Sequence, residues 1–409
     1  MSDLASRRSF LGQSLGLGVA TAFATKGAAP AMGAEKLSPA DGRRKKLIAW
    51  GGIDWYSPAT VQNNIRMIEE LPFDGSVLQG FKTTTEKEYF DWLCFGDRKF
   101  NRDDVAPAIE TLSHIDYRKF TDNLLRYNVT PGNVDWFDDF SAILHNARLW
   151  AGVARECSMK GWAFDVEDYK GTVFNYAKVK YTGEKSFEEY CVQARKRGRE
   201  FMEAVQDAYP DIVMLLMLSH SYVLYKLGTQ PLKPAEYGLM PAFVNGLVEA
   251  AGPRINLIDG QEQCYVYQTA EEFYRGYHDV KQRSLTYVPD ELQPAYRNRM
   301  NVGTAIYVNY LLQLEGAAKG PSQFLSPEDR LQLFEHNIYY AMATTDEYAW
   351  CYGERIGWWE PGHPVALPDG ALDAIRSART KIHENQPLGF DMTERVIDAR
   401  RKQSEAQRK

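Results

Sequence analysis

The 409-residue sequence has no CxxC pair, no HExxH motif and no other tight metal-ligand spacing, which removes the common zinc centres from consideration. Positive charge is short as well. Lys and Arg number 48 against 54 Asp and Glu, and the net charge of -6 leaves no electrostatic hold on nucleic acid or on an anionic membrane. No Pro/Ser linker and no solenoid-scale repeat divides the chain, so a single large domain is expected. The 5 cysteines, Cys94, Cys157, Cys191, Cys264 and Cys351, are scattered and odd in number, which suits buried thiols better than a disulfide framework.

The N-terminus carries Ser6-Arg7-Arg8-Ser9-Phe10-Leu11-Gly12, then a mildly apolar run and the small-residue stretch AAPAMGA. Paired arginines followed by Phe-Leu in this order identify a twin-arginine export signal over residues 1–34, with the twin-arginine translocase as a transient partner and a periplasmic or secreted destination. Gln13, Ser14 and Lys26 interrupt the run and leave it short of spanning length, so no stable membrane anchor is expected.

From there to about residue 390, short apolar runs alternate with segments of helical period. The strands are expected at 45–50, 73–80, 123–130, 161–167, 212–219, 255–260, 303–309 and 340–350. Between them, stretches such as 60–72, 140–159, 186–208 and 236–251 repeat apolar residues every three or four positions and end in Gly, Pro or small polar residues. Eight βα units predict an α/β fold, a (β/α)8 TIM barrel, with long βα loops at 81–112 and 168–186 on its catalytic face. Residues 391–409 read as a charged C-terminal tail, a solvated helix or a frayed end.

The sharpest local feature is Gly161-Trp162-Ala163-Phe164-Asp165-Val166-Glu167. Strand alternation turns Trp162, Phe164 and Val166 towards the outer helices and Ala163, Asp165 and Glu167 into the barrel mouth. Two acids on one face repel, which raises the pKa of one and suits acid catalysis near neutral pH. A second acid group follows the sixth strand, where Gly260 permits a turn that aims Glu262 back across the mouth. Glycoside hydrolysis commonly needs two carboxylates on opposite sides of the bond, so Asp165, Glu167 and Glu262 are the expected catalytic residues. Asp259 is equally suited to capping a helix.

Acids interleaved with aromatics after several strands suit sugar subsites, where rings stack on pyranose faces and carboxylates hold hydroxyls. Trp50, Asp54 and Trp55, Asp135 and Trp136, His220, Asp259 and Tyr265, Asn309, and Asp346, Glu347 and Trp350 are the expected contacts to a carbohydrate substrate. No cofactor and no metal are required by this reading. Two alternatives stand beside it: a metal-dependent sugar isomerase or epimerase using Glu167, His220, Asp259 and Glu262 as ligands, and a catalytically silent glycan-binding barrel.

The fourth strand resembles the chitinase-like DxxDxDxE signature. That resemblance makes Glu167 the general acid and Asp165 the residue that orients an acetamido group, while Ala163 stands where the signature has a further Asp. The motifs LPFDG (71–75), NVTPGNVDWFDDF (128–140), KGWAFDVEDY (160–169), IDGQEQCY (258–265) and DEYAWCYGE (346–354) are similar in order and spacing to a family of exported, barrel-shaped, glycoside-hydrolase-like proteins of largely uncharacterised specificity. The resemblance implies a barrel fold and a glycosidase class, without naming a sugar.

Overall fold

Parallel pairing runs unbroken around the molecule. The strands are β1 (Lys46–Gly51), β2 (Gly75–Leu78), β3 (Leu124–Asn128), β4 (Gly161–Asp165), β5 (Val213–Leu216), β6 (Asn256–Asp259), β7 (Met300–Val302), β8 (Thr304–Tyr307) and β9 (Tyr348–Gly353), in the order β7-β6-β5-β4-β3-β2-β1-β9-β8. Only Gly303 separates β7 from β8. The first pairs with β6 and the second with β9, so the ring closes as an eight-position barrel. A Cβ at Gly303 would sit 2.7 Å from the Ile258 side chain, and this crowding explains the glycine at the break. The computed structural model describes residues 44–51, 57–85, 87–130, 132–171, 173–359 and 365–408; residues 1–34, where an export signal is expected, and Asp54 and Trp55 lie outside them.

Helices cover the ring because the strands bury both faces, as a parallel sheet must. The outward pleat of β3 and β4 shows how. Tyr127, Trp162 and Phe164 meet Phe201 of the helix Phe187–Ala208, and Phe164 also stacks on Phe243 of the helix Met240–Ala250. The two helices touch backbone to backbone. A Cβ at Gly198 would lie 2.1 Å from the Phe243 carbonyl oxygen, and one at Gly246 would lie 2.0 Å from that of Arg195.

Two boundaries differ from those expected. Tyr340–Thr344, read as the start of the last strand, complete the helix Pro327–Thr344, whose buried Leu333, Phe334, Ile338, Ala341 and Met342 keep the helical period. Strand β9 begins only at Tyr348, so Asp346 and Glu347 precede it and belong to the floor of the barrel, not its mouth. Residues 393–407, read as a solvated helix or a frayed end, form the helix Thr393–Gln407, but it is docked and not solvated all round. It docks through buried Val396 and Ala399 and an Arg400–Glu272 ion pair at 2.8 Å.

The floor is a polar plate. Lys46 of β1 donates to Asp122 at 2.7 Å and to Glu347 at 3.0 Å; Glu347 accepts from Asn256 of β6 at 3.2 Å, and Asn256 accepts from Asn301 of β7 at 2.7 Å. Burial alone would lower the Lys46 pKa, but hydrogen bonds and charge from Asp122 and Glu347 raise it. Asp346 pairs with Lys281 at 2.6 Å and accepts from the Val302 amide. This is the end of a barrel where polar residues serve stability.

Overfilling the glycine contact tests the helix layer. Gly198→Ala is expected to cost about 1–3 kcal/mol, read as a lowered urea midpoint at constant slope; an unchanged midpoint would mean that the helices separate freely.

Candidate active site

At the opposite end, β3 and β4 deliver an ionic cluster. Arg126 and Asp165 share the inward pleat, since Arg126 pairs with Ala163 and Asn128 with Asp165 across the two strands. The Arg126 guanidinium donates from Nε at 3.1 Å and from Nη2 at 2.7 Å to one oxygen of Asp165. Both side chains are buried, and the Trp92 ring lies 4.8 Å from the guanidinium carbon. Burial by itself would lower the Arg126 pKa, but Asp165, Tyr169 and Asp91 raise it. The expectation of two repelling acids is thus modified: a cation neutralises Asp165 and ties it to the neighbouring strand.

Glu167 extends beyond β4. Tyr169 donates its hydroxyl to Glu167 and also lies 3.2 Å from Asp165, while the Thr130 hydroxyl holds the Glu167 carbonyl at 3.0 Å. The chain Arg126–Asp165–Tyr169–Glu167 therefore fixes the rotamer of the last member through the first three. Beside it, burial pushes the Asp168 carboxyl up to about 6, with Lys178 opposing and Glu236 adding to the shift.

Glu262 enters from β6, by a turn that differs from the expected one. Gln261, not Gly260, takes the left-handed conformation, at φ 50°, and its side chain is clamped to the Gly303 carbonyl at 2.7 Å. Gly260 is needed for close approach, since a Cβ there would lie 2.7 Å from the Leu216 carbonyl oxygen. Glu262 is buried and begins a short helical turn, Glu262–Val266. It shares a neighbour with Glu167. The Tyr222 phenol is held well above its ordinary pKa by burial first, then by Tyr237 and the charges of Glu262 and Glu167. Tyr237, edge-on to Tyr222 at 5.6 Å, feels Glu167 in the same way and accepts the Asp168 amide. Both phenols remain neutral donors at any working pH.

The β8–β9 side of the lumen is aromatic. Tyr265 lies 5.1 Å from Tyr307 and 5.9 Å from Tyr352, and Tyr307 donates to Glu354 at 2.7 Å. Trp50 stands opposite Tyr352 and Trp350 lies one inward position below, their rings 5.2 Å apart and buried, with the Trp350 indole on the Gly260 carbonyl. Both indoles are packed into the lumen.

Other expected contacts lie elsewhere. Asp135 accepts from the Lys180 amide and the Tyr190 hydroxyl, and Trp136 donates to the Val173 carbonyl; both are loop anchors in the core. Asn309 brackets the Glu354 backbone with two hydrogen bonds. His220 packs edge-on to Tyr296 and against Asn245 in the helical layer. Asp259 pairs with Leu216, on the outward pleat, and caps the helix His220–Leu227 through the Ser221 amide and hydroxyl. The supposed ligands Glu167, His220, Asp259 and Glu262 do not converge, and among the described residues no group of three His, Cys, Asp or Glu is set to hold a metal. Tyr169 and Glu354 lie in the motifs 160–169 and 346–354 without an assigned role, whereas the sequence reading missed Arg126, Tyr222 and Tyr237. Of these three, only Arg126 carried a signal, as an arginine on the inward phase of an apolar strand.

His220 and Asp259 make opposite demands on pH. Burial drives His220 down to about 4, so its neutral form loses stability as pH falls from 6.5 to 4. Burial drives Asp259 up to about 6 against its hydrogen bonds, so its penalty grows as pH rises from 4 to 6. Each contributes on the order of 3 kcal/mol and the two nearly cancel. Asp259→Asn is therefore expected to make unfolding markedly more acid-sensitive between pH 6.5 and 4. Parallel stability profiles for wild type and variant would contradict this.

No family model matches the chain, and no curated protein matches it. Among solved structures it is similar to a glucosidase from Croceicoccus marinus, at 9% identity and a TM-score of 0.46, over 84% of this chain and 69% of that one.

Proposed function

We propose that the protein is a glycoside hydrolase with Glu167 as general acid and Glu262 as the opposed carboxylate. The observation that carries this reading is geometric: the Arg126–Asp165–Tyr169–Glu167 chain stands at the mouth end of β4, and the buried Glu262 opens the turn that follows β6. In this mechanism Glu167 protonates the leaving oxygen while Glu262 acts as nucleophile or base from the other side of the bond. Tyr169 and Asp165 hold Glu167 in place, and Arg126 holds Asp165. Tyr265, Tyr307 and Tyr352 offer ring faces to the sugar, and Tyr222 and Tyr237 offer hydroxyls. Asp165 takes a positioning role here, with one of its oxygens held by Arg126. Export through the twin-arginine route, resting on Ser6–Gly12, belongs to the same proposal.

The test is a product-detected screen over polysaccharides and aryl glycosides, followed by variants on the responsive substrate. Glu167→Gln and Glu262→Gln are each expected to lower kcat by at least about 10²-fold with unchanged thermal unfolding. Full turnover by Glu167→Gln, with Asp168→Asn inactive, would move the acid role to Asp168. Absence of turnover in wild type, with glycan affinity unaltered in Glu167→Gln, would leave a binding barrel.

A further inference from the structure

We infer that the flank of the barrel holds a second binding site, for a neutral saccharide ring, between the helices Pro58–Ile68 and Ala371–His383. Successive barrel helices ordinarily pack together, yet here a cavity of about 640 Å³ separates them, within the roughly 300–1,000 Å³ range of small-molecule pockets. The chain after β9 lines it with two adjacent indoles, Trp358 and Trp359, facing Leu71 and Leu372. Trp358 packs edge-on against Phe73, with ring centres 4.9 Å apart, and is buried. Its indole N–H is sealed from solvent and meets no acceptor among the described residues, so Trp358 forms the packed wall of the cavity and Trp359 is the more exposed indole.

The polar groups select among ligands. Asp373 is engaged by Arg376 at 2.8 Å and Glu70 by Lys119 at 2.8 Å, which leaves the Asp369 carboxylate and the remaining Arg376 N–H groups at the same cavity. An organic cation would gain from the indoles and from Asp369, but Arg376 opposes it. A neutral ring with hydroxyls uses both: its C–H face lies on the more exposed Trp359 indole, and its hydroxyls donate to Asp369 and accept from Arg376. This assignment rests on the cavity walls and not on the catalytic reading.

The experiment follows indole N–H resonances of the 15N-tryptophan-labelled protein, with Trp359 assigned by its loss in Trp359→Phe. The probes are hexasaccharides of glucose, xylose, mannose and N-acetylglucosamine, with tetramethylammonium as the cation control. At least one saccharide is expected to shift the Trp359 resonance saturably, equally in wild type and in Glu167→Gln. Asp369→Asn is expected to weaken that binding at least fivefold, and the cavity-filling Leu372→Trp to abolish it. A response to tetramethylammonium alone, no response to any saccharide, or a saccharide shift indifferent to Asp369→Asn would each overturn the proposal. A barrel that binds here yet hydrolyses nothing would leave it standing while the catalytic reading fell.

Discussion

A guanidinium buried inside a barrel is tolerable only with a carboxylate against it, and the Arg126–Asp165 pair meets that constraint at the β3–β4 seam. Neither charge can be removed alone without stranding the other, so the pair ties together the two strands that carry the mouth's acidic loop. Asp165 also accepts the Glu167 amide at 3.2 Å and lies 3.2 Å from the Tyr169 oxygen, whose proton goes to Glu167, so its orientation is passed directly to the acid beyond it. The position of Glu167 is therefore set by an ionic contact one strand away. Preorganisation of this kind matters more to chemistry than the strength of any one bond.

The architecture was legible because its signals are periodic. Alternation in Gly161–Asp165 separated Trp162 and Phe164 from Asp165 correctly, and the long helices around Phe201 and Phe243 announced themselves by spacing. Where two periods compete, the reading slipped. Tyr340–Thr344 are apolar and small enough to pass for strand, and only the packing of their neighbours makes them helix. That slip of a few residues carried Asp346 and Glu347 from one end of the barrel to the other.

The site was legible only in part, and the reason is physical. A carboxylate on the outward pleat looks, in sequence, like one on the inward pleat, and register decides between them. Asp259 and Glu262 are three residues apart, yet one caps a helix in the outer layer while the other borders the tyrosines of the mouth. Aromatics behave likewise: Trp136 and Trp350 are structural, whereas Tyr222 and Tyr237 reach the acids from distant segments that share no motif with them. Long-range partners such as Arg126 and Trp92 become visible only when the chain has closed its ring.

The plate formed by Lys46, Asp122, Glu347, Asn256 and Asn301 joins β1, β6, β7 and the approach to β9, and above it Trp50 and Trp350 fill the lumen. The barrel is consequently a blind vessel. A molecule that enters the mouth of the barrel therefore has to leave by the same opening, since this end offers it no exit.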